Sequence, residues 1–187
     1  MMTRRKAILI LTLILMLGFM LACNLGGDLA KANKVRDETN PIVAEANKGF
    51  MDADAKLGQL YTGKLDVAER QKQEPVAKDI LNSLDKSQAA YNTAAQKMGD
   101  ASQLKLEPWH KEYLDLKAQD YRKSSEVADV YKELIKVYLD YSITDPKVFV
   151  QKHDELAAKT QKLLEEAREL EAKADKLEQD HKDQFKQ

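Results

Sequence analysis

Proline spacing divides this chain of 187 residues into long intervals that contain few other helix breakers. The four prolines, Pro41, Pro75, Pro108 and Pro146, lie 34, 33 and 38 residues apart, and glycine occurs only seven times. Proline is favoured in the first turn of a helix, because the N–H that it lacks has no helical partner there in any case. The spacing therefore predicts four long helices with the prolines in their early turns. Leu29, Ala32 and Val35 already fall on a helical face, so the first helix is predicted to begin before Pro41.

Polar caps and glycines predict where these helices begin and end. Asn40 and Asp145 are suitable N-caps, and Asp66 begins a capping-box sequence, Asp-Val-Ala-Glu. Gly63 and Gly99 suit the left-handed position that closes a helix. The predicted spans, each about 50–63 Å long, are 29–62, 66–98, 105–142 and 145–186.

An apolar stripe runs along each predicted helix. In the last helix the stripe repeats strictly every seven residues, at Leu156, Leu163, Leu170 and Leu177. A seven-residue period favours left-handed coiled-coil packing, and short connections favour antiparallel neighbours. The sequence thus predicts an all-α fold, an elongated antiparallel four-helix bundle with coiled-coil-like packing. The stripes of the first three helices are Val43, Ala46, Phe50, Ala53, Leu57 and Leu60; Ala77, Ile80, Leu84, Tyr91, Ala95 and Met98; and Leu114, Ala118, Tyr121, Ala128, Tyr131, Leu134, Ile135 and Tyr138.

The spacing near 34 residues also matches the period of tetratricopeptide solenoids. Those repeats place two helices in each interval, whereas here no turn residues interrupt the middle of an interval. Charge excludes another class of protein: after residue 22, 27 basic and 31 acidic residues are interleaved without a basic block. Nucleic-acid binding depends on neutralising phosphates, so we predict no nucleic-acid partner.

The first 22 residues form a basic head and an apolar run. Arg4, Arg5 and Lys6 precede residues 7–22, which carry no charge and one polar side chain, Thr12. This layout is typical of a secretory signal peptide. A membrane-spanning helix is the weaker alternative, because a helix of this length measures about 24 Å, less than the roughly 30 Å hydrocarbon core of a bilayer.

The only cysteine of the chain, Cys23, directly follows this run. The sequence Met20-Leu21-Ala22-Cys23 resembles the lipobox of bacterial lipoproteins, in which a signal peptidase cuts before a lipidated cysteine. Ala22 is the small residue that the pattern requires, whereas Met20 stands where leucine is usual. The resemblance covers about the first 24 residues and implies that Cys23 is the lipid attachment site. By the same resemblance, Asn24 favours the outer membrane.

The resemblance also implies a domain organisation and a location. Residues 1–22 are the predicted signal peptide, 23–28 the lipidated N-terminus with a short tether, and 29–187 a single helical-bundle domain. The predicted location is the bacterial cell envelope, on the extracytoplasmic side, with the outer membrane or cell surface favoured. Each buried lipid CH₂ contributes roughly 0.8 kcal/mol, so two or three acyl chains on one residue hold a protein firmly to a bilayer.

Two Glu-x-x-His motifs, Glu107–His110 and Glu178–His181, lie near the ends of the third and fourth predicted helices. This spacing places a carboxylate and an imidazole on one helical face, and ferritin-like di-metal proteins combine two such motifs with two further glutamates. Antiparallel pairing would bring His110 and His181 to the same level. Because the first two helices offer no glutamate there, we predict packing around Trp109 and assign no metal ligand. Whether the two histidines meet is left open.

Other motifs carry no catalytic assignment. Residues 58–65 fall one residue short of a Walker A loop, because Leu65 stands where a Mg²⁺-binding Ser or Thr is required. Asp52 and Asp54 lack the glycine and glutamate of an EF-hand loop. His153 lies on the last apolar stripe without a nucleophile or paired acid, so it is predicted to be partly buried.

The sequence therefore predicts an envelope lipoprotein that is not an enzyme and holds no cofactor. Its partners are a membrane, through the lipid anchor, and a protein of the envelope that contacts the helices. A module that binds a small ligand or a metal between the helices is the alternative. Five of the seven tyrosines lie on the third predicted helix, where core packing is favoured over a binding surface.

Overall fold

The computed structural model of the chain consists of helices joined by turns. It describes the backbone of residues 4–60 and 66–185, and the side chains of residues 27–60 and 66–185. Within those ranges there is no β-strand, which confirms the predicted all-helical class. The helices are α1, Arg4–Leu60; α2, Val67–Lys72; α3, Glu74–Ala101; α4, Pro108–Leu139; and α5, Pro146–Asp180.

Pro41 lies in the interior of α1, so the predictions that it marks an early turn and that Asn40 caps the helix are wrong. A register of buried residues continues across Pro41 every seven residues: Ala32, Thr39, Ala46, Ala53 and Leu60. Proline costs about 3 kcal/mol in a helix interior, and burial along this continuous register offsets that loss. The backbone is also helical at residues 23–28, where the sequence predicts a short tether; the domain boundaries stay a prediction.

The second predicted helix is divided into α2 and α3 at Gln73. Asp66 caps α2 as predicted, because its side chain accepts a hydrogen bond from the Ala68 backbone N–H at 3.1 Å. Pro75 lies in the first turn of α3. Without an N–H it cannot continue the hydrogen-bond ladder of α2, so the chain begins a new helix there.

The prolines of the last two predicted helices mark helix starts, although α4 begins three residues after the predicted start at residue 105. Pro108 and Pro146 each occupy the first turn of a helix, α4 and α5 respectively. Asp145 caps α5, and its carboxylate accepts a hydrogen bond from the Lys147 backbone N–H at 2.9 Å. Such a cap typically stabilises a helix by about 1 kcal/mol.

Close helix packing, rather than chain termination, explains Gly99. The prediction that Gly99 ends a helix is wrong, because α3 continues to Ala101. A Cβ atom at position 99 would lie 3.3 Å from Nη2 of Arg122 on α4. Gly63 lies outside the described residues.

The helices pack in the order in which they follow one another: α1 against α3, α3 against α4, and α4 against α5. Every position of the four predicted apolar stripes is buried or half-buried, so the four stripes are confirmed. Helix α4, which packs against both α3 and α5, has the broadest buried face. Its buried residues include Tyr113, Val127 and Val130 in addition to the predicted stripe. The core thus runs the length of the helices between α1 and α5.

Changing Gly49 to alanine is expected to lower the free energy of unfolding by about 1 kcal/mol. Overpacking by the added methyl group destabilises the protein, and the higher helix propensity of alanine offsets only part of that loss. A Cβ at Gly49 would stand 2.6 Å from Oγ of Ser87 on α3, so that side chain must shift. Gly58→Ala is the matched control on the same helix, since a Cβ there meets no atom within 4 Å. Gly58→Ala should instead stabilise by up to about 1 kcal/mol. Urea denaturation compares the two, and equal gains would contradict a tight crossing at Gly49.

Candidate functional site

The predicted lipid attachment site, Cys23, belongs to α1, and its side chain lies outside the described residues. Five residues later, Asp28 contacts the connection between α3 and α4, where its carboxylate accepts a hydrogen bond from the Lys105 backbone N–H at 3.1 Å. Asp28 also pairs with Lys31 Nζ at 3.2 Å. These two bonds hold the pKa of Asp28 below its usual range. The chain between Cys23 and this end of the helices is therefore short.

An aromatic cluster lies at the same end of the helices, and we define it as Trp109, His110, Tyr113, His181 and Phe185. The Trp109 ring stacks on His181, with centroids 4.1 Å apart and planes 8° apart, and on His110 at 4.7 Å and 17°. Phe185 meets Trp109 edge-on at 5.3 Å and Tyr113 at 5.0 Å. The structure thus brings both predicted histidines to the only tryptophan of the chain.

The imidazole of His110 is enclosed by this cluster, with 2% of the residue exposed. Burial and the nearby Arg36 guanidinium of α1 lower the pKa of His110 to about 4. Arg36 itself lies over the Phe185 ring, 5.0 Å from its centroid. An ordinary histidine has a pKa near 6.5, so His110 is neutral at pH 7 and packs as an uncharged aromatic ring.

The two Glu-x-x-His motifs contribute to packing at this end of the helices. Glu178 accepts a hydrogen bond from the Tyr113 hydroxyl at 3.4 Å. In the part of the chain that the structure describes, no group of three or more His, Cys, Asp or Glu residues could hold a metal ion. The stacking of His110 on Trp109 agrees with the packing role predicted for that histidine. The stacking of His181 was not predicted, because the sequence indicated only a polar residue near the end of the last helix.

The remaining motif residues lie apart from the aromatic cluster. His153 is half-buried, as predicted, with Nδ1 lying 3.2 Å from the Asp154 carboxylate. Asp52 pairs with Lys56 at 2.7 Å, one helical turn away. The Walker-like segment continues into residues 61–65, which lie outside the described residues.

The tyrosines of the third predicted helix serve mainly in the core, as predicted. The Tyr131 ring is half-buried, and its hydroxyl donates a hydrogen bond to Asp54 at 3.1 Å. Burial raises the pKa of Tyr121 and of Tyr131 to about 12, so both hydroxyls stay protonated at neutral pH. The fully buried members are Tyr113, Tyr121 and Tyr138.

A buried arginine that the sequence pattern did not indicate lies at the opposite end of the helices. Arg70 on α2 is 0% exposed. Its Nη1 donates to the backbone carbonyls of Tyr138 and Asp140 at 3.2 and 3.0 Å, and its Nη2 donates to that of Ile143 at 2.8 Å. The guanidinium therefore bonds the last turn of α4 and the turn that follows it.

A buried carboxylate on α4 was also missed. Asp120 is 8% exposed, and burial raises its pKa to about 6. Lys117 opposes this rise, whereas Glu171 and Asp175 of α5 add to it. At pH 7 Asp120 is therefore ionised, although burial and the nearby carboxylates disfavour its charged form.

Grooves follow the seams between helices. One has a volume of about 690 Å³ and lies between α1 and α3, where Gly49 and Ser87 contribute to its lining. A second, of about 400 Å³, lies where α1, α4 and α5 meet, and Leu57, Tyr131 and Leu164 are among its lining residues. The second groove exposes part of the α4 surface between the first and last helices.

None of the helices, over the residues whose side chains are described, is long and apolar enough to cross a bilayer. The side chains of the predicted signal peptide, residues 1–22, lie outside that range. Comparison of the chain with protein-family models, with curated proteins and with solved structures gives no match.

Proposed function

We propose that this chain is a bacterial envelope lipoprotein, anchored through lipid on Cys23, whose helical domain has a structural or protein-interaction role without catalysis. The observation that carries the proposal is the sequence Met20–Cys23 behind a basic head and an apolar run. The position of Asp28 supports it, because this residue contacts Lys105 only five residues after Cys23. A lipid on Cys23 would hold this end of the helices against the membrane.

We also propose that α1, α3, α4 and α5 form an antiparallel four-helix bundle with coiled-coil-like packing. Contacts between α1 and α3 support opposite directions, because Lys56, late in α1, pairs with Asp79, early in α3. At the other end Glu38, earlier in α1, meets Lys97, late in α3, at 3.2 Å.

Contacts between α4 and α5 follow the same rule. Lys117, early in α4, lies 3.4 Å from Asp175, late in α5. Glu133, late in α4, lies 3.6 Å from Lys159 of α5. Buried positions that recur every seven residues along α1, and buried or half-buried ones along α5, support the coiled-coil-like part of the proposal.

In this arrangement the partner surface is the side of the bundle and the end far from the membrane. Among the residues whose side chains are described, three large apolar ones are exposed there or along α1: Met51 at 71%, Val148 at 43% and Val150 at 52%. The groove where α1, α4 and α5 meet adds a concave face of mixed character, lined by apolar residues such as Leu57 and Leu164 and by polar ones such as Gln161. A helix from an envelope protein is the kind of partner that fits a groove between helices.

Replacing Cys23 with alanine is expected to abolish lipid attachment and signal removal, because this is the only thiol in the chain. The full chain is expressed in a bacterial host with labelled fatty acid, and its intact mass is measured. The natural chain should lose residues 1–22 and gain acyl groups, and Asn24→Ala, the matched control, should do the same. Cys23→Ala should retain residues 1–22 and no label. A natural chain with an unmodified Cys23 would contradict the proposal.

A further inference from the structure

The chain turns back across the end of the helices after α5 ends at Asp180. Residues 181–185, which we call the C-terminal clasp, begin with a hydrogen bond from the His181 backbone N–H to Leu177 O at 3.1 Å. A second bond, from Gln184 N–H to His181 O at 2.8 Å, closes the turn. Phe185 is 8% exposed, although it is the last residue described. The clasp therefore has a defined fold and a buried anchor.

The clasp joins the first helix to the last. Phe185, which follows α5, packs against Arg36 of α1 and against His110 and Tyr113 of α4, with centroid distances of 5.0, 5.2 and 5.0 Å. Helices α1 and α5 are not among the closely packed pairs, and a groove separates them further along. The Phe185 side chain thus bridges two helices that otherwise pack on their sequence neighbours.

His110 lies directly beneath this bridge, in surroundings that suit only a neutral ring. The charged group facing it from α1 is Arg36, and Phe185 of the clasp packs against its ring at 5.2 Å, while His181 stacks on the neighbouring Trp109. On α4 its neighbour Tyr113 donates its hydroxyl to Glu178 of α5. The α3 residues of the same core cluster are uncharged: Ala94, Ala95, Met98 and Ala101.

We propose that residues 181–185 form a releasable clasp, which joins α1 to the end of α5 while His110 is neutral and detaches when His110 is protonated. Protonation would place a second cation beside Arg36 in an apolar cluster, and detachment lets water reach the imidazolium. This inference rests on the packing of described residues and does not depend on the lipid anchor.

Acid is therefore the expected trigger. The pKa of His110 is about 4 in the clasped form and should approach the ordinary 6.5 once the ring is exposed. A pKa lowered by folding favours the clasped form above pH 6.5, and this preference is lost as the pH falls towards 4. Between pH 7 and pH 4 the ratio of clasped to open molecules should fall on the order of 100-fold.

Trp109 is the only tryptophan of the chain, so its fluorescence reports on the clasp without labelling. Quenching by acrylamide is measured on the full-length protein in detergent at pH 7 and pH 4.5, with helix content followed by circular dichroism. At pH 7, Phe185→Ala should raise the quenching constant of Trp109 at least twofold. Gln184→Ala, an exposed position in the same segment, should leave it unchanged.

Acidification of the natural protein should produce the same rise as Phe185→Ala, with helix content retained. His110→Gln should remove this rise, and His181→Gln should keep it. If Phe185→Ala loses its helices, Phe185→Leu takes its place with a smaller expected rise. An unchanged quenching constant in the folded Phe185 variant overturns the proposal, and so does an acid response that persists without His110.

Discussion

Replacing Arg70 with methionine is expected to lower the free energy of unfolding by about 3–5 kcal/mol. The guanidinium donates to three backbone carbonyls, and hydrogen bonds that involve a charged group contribute about 1.5–3 kcal/mol each. Methionine also avoids the desolvation cost of burying a charge. The net loss is therefore smaller than the sum of the three hydrogen bonds. The last carbonyls of a helix also lack intrahelical partners and carry partial negative charge, so α4 depends on an external donor there.

Lys72→Met is the matched control for Arg70→Met. Lys72 lies on the same short helix, is exposed, and pairs with Glu69 at 2.8 Å. An exposed pair of this kind contributes little, so the control should stay within about 0.5 kcal/mol of the natural protein. Arg70→Lys should be intermediate, because an ammonium cannot reproduce the planar fork of donors. Urea denaturation followed by circular dichroism measures all three, and equal midpoints for the two methionine variants would refute this role for Arg70.

Replacing Asp120 with asparagine is expected to stabilise the protein by about 1–3 kcal/mol at pH 8. Raising a carboxyl pKa from 3.8 to about 6 corresponds to roughly 3 kcal/mol between the two protonation states. Asparagine has nearly the same shape and carries no charge, so it removes the cost of burying the carboxylate. Loss of favourable interaction with Lys117 accounts for the lower end of the range.

The pH dependence of this gain follows from the direction of the shift. The folded state binds the Asp120 proton more tightly than the unfolded state does, so stability attributable to this group is fully present below pH 3.8. It falls as the pH rises to about 6 and then stays constant. The advantage of Asp120→Asn should therefore be near zero at pH 3.5 and full at pH 8.

Denaturation curves at the two pH values test this expectation. Asp115→Asn serves as the control, because Asp115 is an exposed carboxylate on the same helix. Its difference from the natural protein should be small at both pH values. If the stability of Asp120→Asn relative to the natural protein is the same at pH 3.5 and at pH 8, burial of this carboxylate does not destabilise the protein.

Helical class and core positions could be predicted because burial in long helices leaves a periodic pattern. The stripe of the last helix shows this most clearly, since Leu156, Leu163, Leu170 and Leu177 are all buried or half-buried. Pro41 could not be placed in the same way. Local chemistry favours a helix start there, whereas the buried register from Ala32 to Leu60 keeps α1 continuous.

The two buried charged residues, Arg70 and Asp120, were not predicted, because a charged residue in a helical pattern is ordinarily assigned to the exposed face. Both lie in register with buried neighbours. Arg70 is seven residues before Ala77, and Asp120 lies seven residues after Tyr113 and seven before Val127. The seven-residue signal could have found these positions. What each charge does there depends on distant carbonyls or carboxylates that only the folded chain brings near.

The candidate site was predictable in its parts and not in its arrangement. The two Glu-x-x-His motifs and Trp109 are visible in the sequence, and antiparallel pairing places their ends at one level. The role of Phe185 was not visible, because α5 ends at Asp180 and the chain turns back. Residues 181–185 are too few to show a periodic pattern of buried residues, so the burial of Phe185 left no signal in the sequence.

The order in which the helices pack has a consequence for how the chain acquires its structure. Each closely packed pair consists of successive long helices, α1 with α3, α3 with α4 and α4 with α5. Contacts between chain neighbours require little loop closure, and proteins dominated by them fold in microseconds to milliseconds. If the chain is exported as we propose, each of these helix pairs can assemble as soon as its second helix emerges from the translocation channel. Phe185 follows α5 in the chain, so its contact with Arg36 of α1 can form only after all the helices have emerged.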